Sequence, residues 1–395
     1  MKLGFHYHIP AIKKESSIYL PGYIGRFLDS LASECEFLTC FLYSPLDSEI
    51  SLMDYPLCNN NISLVNIGLH ASVPKRLICS GRIKKIIRKY CKNLDLLLVR
   101  GPSPLLPVVS EACENLPTSL LIVGDYLAGV DDLPQPRWRK ELIRIWSIWN
   151  SQRQFKIAER SLTFVNSHLL YQQFEGKIPN LIETKTTTLS INDFYLRNDT
   201  CIIKPIQLLY TGRIDRAKGL LDILEAMNIL VVKGVDIDFN IVGMKVQGDL
   251  ILDEILTKSK EYGLLERVKY HGYYPLGPDL FKFYKLADIY IIASQASEGF
   301  PRTIWEAMAH SLPVIATRVG SIPDYVEGAA SLVNPRSPQE LSNAISKILS
   351  DQEYRKKIIQ NGFQLAKQNT LDIRAKEMIA SMERYVEQFS IQKTL

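Results

Sequence analysis

Short apolar runs alternate with longer amphipathic stretches along the whole of the 395 residues, and this alternation restricts the fold more than any other feature. Apolar runs separated by helix-length segments are what a parallel sheet covered by helices requires. In the first half the strand candidates are Leu3–His8, Glu36–Tyr43, Ile62–Ile67, Asp95–Val99, Ser119–Val123 and Leu162–Asn166. In the second half they are Gln207–Thr211, Phe239–Val242, Val268–Tyr270, Ile289–Ala293, Val314–Ala316 and Ala330–Val333. Helical periodicity is clearest over Leu220–Lys233, Arg302–Ala309, Gln339–Leu349 and Leu371–Phe389.

A chain of this length exceeds one ordinary hydrophobic core, so two domains are expected. The polar stretch Arg197–Pro205, followed by a fresh strand–loop–helix unit, reads as the linker. We therefore expect an N-terminal Rossmann-like domain over 1–198 and a second over 199–370. The final helix, 371–395, has no strand after it and is expected to cross back to the first domain. An apolar fraction of 46% with 23% charged residues is that of a globular chain. No apolar run approaches the roughly 18 residues of a membrane span, and the N-terminus does not read as a secretory signal. Seven cysteines without a Cys-x-x-Cys pair point to reduced thiols and a cytoplasmic protein.

The strongest local signal is Leu208–Leu220, in which a buried strand ends at Gly212, a cationic loop follows, and a helix begins near Gly219. Ligands of open α/β sheets bind at the carboxyl ends of strands. Arg213 and Lys218 flank the turn, where a guanidinium fork and an ammonium point charge could converge on one diphosphate. The other reading of this segment is a solvated basic loop.

A second signal is Ser297–His310. Glu298 closes a loop, Gly299 permits close backbone approach, and Pro301 suits the first turn of a helix whose N-terminus favours an anion. Glu306, five residues beyond Pro301, stands about 7 Å further along that helix. Two carboxylates so placed can grip hydroxyls at opposite ends of an elongated ligand. The other reading is that Glu298 caps the helix and Glu306 faces solvent.

Taken together, the two signals resemble the donor site of the retaining glycosyltransferases of family 4, which have the GT-B fold. The family pattern Gly-Arg-x4-Lys-Gly, followed downstream by Glu-Gly-Phe-x5-Glu, is met by Gly212, Arg213, Lys218 and Gly219, and by Glu298, Gly299, Phe300 and Glu306. The resemblance covers nearly all of 206–349. It implies an α/β chain of two Rossmann-like domains facing each other across a cleft. It also implies that Arg213 and Lys218 hold the donor diphosphate, that Glu306 holds the ribose hydroxyls, and that Glu298 with the Gly299–Phe300 backbone holds the donor sugar. The loop of His271, Gly272 and Tyr273 would lie near the base.

In the first half, Pro21–Phe27 looks like the family's first glycine-rich loop, with Gly22 and Gly25 facing the donor phosphates and one glycine fewer than usual. The strand Ser119–Val123 leads to Gly124 and Asp125, where many relatives have His-Asp. Asp125 is retained as a catalytic candidate, while a histidine contact with the donor sugar is not expected. Three look-alikes are set aside. Asp236 and Asp238 form an Asp-x-Asp but lead into an ordinary strand and read as surface charge. His6 and His8 alternate along the first strand, with one of them a candidate to face the cleft. Gly243 lacks the full dinucleotide fingerprint.

The net charge of +5 lies in the first half, where 23 Lys+Arg face 18 Asp+Glu in residues 1–198. Residues 73–92 hold eight of these cations and no acid, interleaved with Leu77, Ile83, Ile86, Ile87 and Tyr90. Within 137–149, Trp138, Leu142, Ile145 and Trp149 share a helical face beside Arg137, Arg139, Lys140 and Arg144. Both segments are candidates for an anionic membrane surface, the alternative being solvated helices packed on the core. No nucleic-acid-binding module is present. The expected function is transfer of a hexose-like sugar from a nucleoside-diphosphate sugar to a saccharide or lipid-linked acceptor, without metal or other cofactor. The alternatives are a GT-B epimerase or hydrolase of nucleotide sugars, or a non-catalytic sugar-nucleotide-binding membrane partner.

Overall fold

The computed structural model describes residues 1–124, 130, 136–246, 248–295 and 300–394. The chain divides into two compact units, Met1–Thr186 with Leu371–Leu395, and Thr187–Thr370.

Unit 1 runs through β1 (Lys2–Pro10), β2 (Ile12–Lys14), β3 (Ser17–Leu20), α1 (Gly22–Ser33), β4 (Phe37–Ser44), β5 (Tyr55–Pro56) and β6 (Ile62–Leu69). It continues with α2 (Val73–Ile78), α3 (Ser80–Cys91), β7 (Leu96–Gly101), α4 (Leu106–Ala112), β8 (Thr118–Ile122), α5 (Arg137–Ala158), β9 (Leu162–Val165), α6 (His168–Phe174) and β10 (Leu181–Glu183). Among the described residues the main sheet has the order β10-β9-β8-β7-β1-β4-β6, and every pairing in it is parallel. The two faces of β4 separate by strand alternation. Leu38, Cys40 and Leu42 enter one core, while Phe41 and Tyr43 enter the other. Every residue of β7, β8 and β9 is buried, because helices cover both faces. The small antiparallel sheet β2-β3-β5 escaped the sequence pattern because its strands are too short and too exposed to alternate visibly.

Unit 2 runs through β11 (Ile206–Thr211), α7 (Leu220–Val232), β12 (Ile237–Val242), α8 (Ile251–Glu261), β13 (Val268–Tyr270), α9 (Pro278–Leu286) and β14 (Ile289–Ile292). It ends with α10 (Arg302–Ala309), β15 (Val314–Thr317), α11 (Ile322–Val326), β16 (Ser331–Val333), α12 (Pro338–Ser350) and α13 (Gln352–Lys367). Its sheet, β13-β12-β11-β14-β15-β16, is parallel throughout. Residues ahead of Arg197 already pack here: Leu189 is in the core, and the Tyr195 N–H donates to Ala309 O at 2.9 Å. Arg355 holds Asp199 by two bonds of 2.7 and 3.0 Å, joining α13 to the entry segment.

The last helix, α14 (Leu371–Thr394), returns to unit 1. Leu371, Ala375, Met378, Ile379 and Met382 recur at three- and four-residue spacing and enter the core beside Ile24, Leu28 and Leu31 of α1. The larger of these side chains stabilise the docking by about 1.5–3 kcal/mol each. Cys91 and Cys113 form a disulfide between the end of α3 and the end of α4, which corrects the expectation that all the thiols are reduced.

Candidate active site

A parallel sheet opens a crevice where neighbouring strands lead away in opposite directions. In unit 2 that point lies between β11 and β14, at their carboxyl ends. Two glycines show how tightly the backbone packs there. Gly219 has φ +65°, and a Cβ on it would fall 2.0 Å from Ala293 O, beyond the end of β14. Gly243 has φ +153°, and a Cβ there would fall 1.7 Å from Gly212 O. Any side chain at either position would force the strand ends apart.

The loop between β11 and α7 carries the cations. Tyr210 OH donates to Arg213 O at 2.6 Å, fixing the backbone while leaving the guanidinium largely exposed. Its NH2 lies 3.6 Å from Asp215 Oδ2. Lys218, immediately before Gly219, is buried, so the two cations differ in mobility. Arg216 is engaged elsewhere, with Glu254 of α8.

Glu306 lies on α10 and is buried, which corrects the reading that it faces solvent. Its Oε1 accepts from Thr188 Oγ1 at 2.8 Å, and its Oε2 accepts from Tyr284 OH at 2.7 Å. Burial, and then the Glu306 charge, hold the Tyr284 phenol well above its ordinary pKa, so it stays a neutral donor. Thr211, the last residue of β11, joins the same network through its contact of 2.5 Å with Tyr284 OH. A carboxylate has room for further donors beyond these two, so vicinal hydroxyls of a ligand can add to it. Thr188 and Tyr284 were not singled out from sequence. Thr188 sits in a threonine run without periodicity, and Tyr284 reads as one more residue of an amphipathic helix.

The remaining expected residues are placed as follows. His271 Nε2 meets Asn240 Oδ1 at 2.9 Å, and burial and then Lys269 lower its pKa. Gly272 has φ +80° and accepts the Gly243 N–H at 2.8 Å, while Tyr273 is exposed. These three follow β13 and approach the β12 end, so the structure gathers them with Gly212 and Gly243. The Phe300 ring points into the core, 4.4 Å from Trp305 and 5.2 Å from Tyr325. Its side chain therefore packs, and Pro301 precedes α10 as expected. Glu298 and Gly299 lie outside the described residues, as does Asp125. Asp238 is not surface charge. It is buried and paired with Lys269 at 2.8 Å and Arg267 at 3.7 Å, and Arg267 also holds Asp236 at 2.6 Å.

Gly22 and Gly25 belong to unit 1 and form the first turn of α1. The Gly22 N–H donates to Asp54 Oδ1 at 2.8 Å, and a Cβ on Gly25 would meet Tyr55 Cδ1 at 2.3 Å. Close helix packing thus explains Gly25 without a ligand. His6 is wholly buried, its Nδ1 2.9 Å from Phe41 O, and burial drops its pKa to about 4.

Residues 199–365 match the family model described as Glycosyl transferases group 1. A lipopolysaccharide 1,2-N-acetylglucosaminetransferase of Salmonella typhimurium is 32% identical over 154 residues, which are 37% of this chain and 40% of that protein. The capsular polysaccharide biosynthesis glycosyltransferase CapM of Staphylococcus aureus is 27% identical over 201 residues, 48% of this chain and 50% of that protein. The chain thus spans about half or less of the length of these curated relatives. Among solved structures, Anabaena HepE in complex with UDP is similar at a TM-score of 0.71 and 18% identity, covering 98% of this chain and all of that one. The chain has the GT-B fold, and the pattern of the group 1 glycosyl transferases runs through its residues 199–365.

Proposed function

We propose that the chain is a retaining glycosyltransferase. It moves a hexose-like sugar from a nucleoside-diphosphate sugar to a saccharide or lipid-linked saccharide, in the assembly of a surface polysaccharide. The observation that carries this reading is the carboxyl edge of unit 2. There, two cations of one loop and a buried hydroxyl-bound carboxylate flank a switch point whose glycines let the strand ends and their loops pack closely. The names of the relatives in lipopolysaccharide and capsule assembly support the acceptor class, and the UDP complex of HepE supports the donor class.

In this mechanism Arg213 and Lys218 stabilise the charge that develops on the leaving diphosphate, whose oxygen takes the acceptor proton. Glu306 accepts from the ribose hydroxyls, with Thr188 and Tyr284 fixing its orientation. Glu298 and the Gly299 backbone hold the donor sugar, and no protein nucleophile or metal enters. A screen of nucleotide sugars by thermal shift tests the reading, because a ligand at 100 times its dissociation constant adds about 2.7 kcal/mol. We expect one nucleotide family to stabilise the chain, and turnover to need an acceptor and to persist in excess chelator. Stabilisation by none of them defeats the proposal, and release of free product without acceptor favours an epimerase or hydrolase.

We further assign the membrane contact to α5, on the cytoplasmic face. In α3, Ile83 and Ile87 are buried and the cations form a solvated face. In α5 the apolar stripe is turned outward: Trp138 is 63% exposed, Leu142 58%, Ile145 63% and Trp149 52%. Exposed tryptophans with adjacent cations suit the interface of an anionic bilayer. Among the described residues no helix is long and apolar enough to cross one. Replacing Trp138 and Trp149 by Ser is expected to abolish binding to phosphatidylglycerol vesicles. Unchanged binding would return α5 to a solvent-facing role.

A further inference from the structure

The switch point of unit 1 lies between β1 and β7, and its carboxyl edge holds polar groups that the fold itself leaves unsatisfied. Arg76 of α2 is buried to 8% exposure, with its guanidinium 5.3 Å from the Tyr43 ring centroid. Among the described residues no carboxylate pairs with it, and its Nε has no hydrogen-bond partner. The Tyr43 ring in turn lies 6.3 Å from His6 and 5.8 Å from His70. His70 reaches the His8 carbonyl at 2.8 Å and Glu49 at 2.7 Å, so the one acid in this chain of contacts is already engaged. The His8 ring is 4.4 Å from Tyr7, over which Arg100 of β7 lies at 5.0 Å.

Further orphaned polar atoms belong to the same edge. His6 Nε2, His8 Nδ1 and Ser103 Oγ are buried without hydrogen-bond partners, and His6 and Ser103 are wholly inaccessible. A buried guanidinium without a counter-charge carries an uncompensated desolvation cost, which an anion in hydrogen-bonding reach would offset. The His8 ring and the Ser103 hydroxyl, on the same sheet edge, are donors of the kind an oxyanion needs in addition. Burial, with Arg76 adding to it, keeps the two imidazoles neutral near pH 7. The one N–H of His6 is given from Nδ1 to Phe41 O, so His6 lines the edge without donating into it, whereas His8 is free to present an N–H at Nδ1.

We propose that the β1–β7 edge is an oxyanion site in which Arg76 and Arg100, with His8 and Ser103, hold one phosphate or carboxylate group of the acceptor. The assignment of this anion to the acceptor rests on the glycosyltransferase reading, whereas the site itself does not. Its occupant is therefore expected to carry a charged group beside the hydroxyl that receives the sugar, as a sugar phosphate, a lipid-linked diphosphate or a uronic acid does.

The test is thermal shift of the whole chain in saturating UDP, which occupies any diphosphate site at Arg213 and Lys218. Inorganic phosphate and glucuronate are titrated at matched ionic strength, against wild type, Arg76→Gln and Arg76→Lys. We expect at least one of the two anions to raise the wild-type Tm. We expect Arg76→Gln to weaken that anion roughly tenfold or more, the loss of a charge-assisted hydrogen bond, and Arg76→Lys to restore part of it. Phosphate alone identifies a phosphate acceptor, and glucuronate alone a carboxylate one. A shift of equal size in Arg76→Gln, or no shift with either anion in wild type, overturns the proposal. Should Arg76→Gln fail to fold, the His6 and His8 ring signals in NMR of the wild type decide. They shift with the anion if the site exists and stay fixed if it does not. Loss of the UDP effect alone would speak against the donor site and leave this one standing.

Discussion

The carboxyl edges of the two sheets occupy equivalent positions and are equipped in opposite ways. At the β11–β14 edge the carboxylate of Glu306 is buried and hydrogen-bonded by Thr188 and Tyr284, while Arg213 stands in solvent. At the β1–β7 edge the cation Arg76 is the buried group, and among the described residues no carboxylate pairs with it. On the proposed reading, the carboxylate takes neutral hydroxyls into its remaining acceptor capacity, and the guanidinium without a counter-charge takes an anion. One topology thus supplies two chemistries, set by which charge is buried and whether the fold completes its hydrogen bonds.

Four perturbations break or sharpen this contrast. The largest effect is expected from Gly219→Ala, since the new Cβ meets a backbone oxygen and φ is positive. It should destabilise unit 2 by on the order of 3 kcal/mol or more and abolish nucleotide-sugar turnover, read by denaturation and by product release. Next, Arg213→Ala and Lys218→Ala are each expected to cut turnover by roughly 10²-fold. The exposed Arg213 should go without loss of Tm, whereas the buried Lys218 also contributes to packing. Normal turnover in either variant would reduce the loop to a solvated one. A smaller effect, about 1–2 kcal/mol of stability, is expected from Tyr284→Phe, which removes one of the two donors from buried Glu306. Its mark on function should be a raised KM for the donor.

The effect that vanishes at neutral pH belongs to the other edge. His6 is neutral when folded, with its pKa at about 4 through burial, against 6.5 ordinarily. Between those values the unfolded chain binds the proton and the folded chain does not. Stability is therefore full above pH 6.5 and falls as pH drops toward 4. The slope from this residue is at most about 1.4 kcal/mol per pH unit. His6→Gln should flatten the curve over that window, and an unchanged curve would mean the ring protonates in place.

The contrast also explains what sequence alone could disclose. The main strands of both sheets were readable because parallel strands buried on two faces are continuous apolar runs. The β11–β14 edge was readable because its glycines, cations and Glu306 stand at fixed spacing within short segments. Arg76, Arg100, His8 and Ser103 share no local pattern, as their place on one sheet edge depends on strand order β7-β1-β4. Arg76 even hides within a run of eight cations, where composition suggests a solvated face. The α3 and α5 helices make the same point: similar basic, apolar sequences bury the stripe in one and expose it in the other, because only the tertiary packing decides which face is covered.

If donor recognition resides at the β11–β14 edge, calorimetric titration of the preferred nucleoside diphosphate will show it. Wild type, Arg213→Ala and Arg76→Gln are compared at one ionic strength. Binding is expected to be at least about tenfold weaker in Arg213→Ala, from the lost charge-assisted contact, and unchanged in Arg76→Gln. Equal affinity in wild type and Arg213→Ala, or a loss confined to Arg76→Gln, would contradict it.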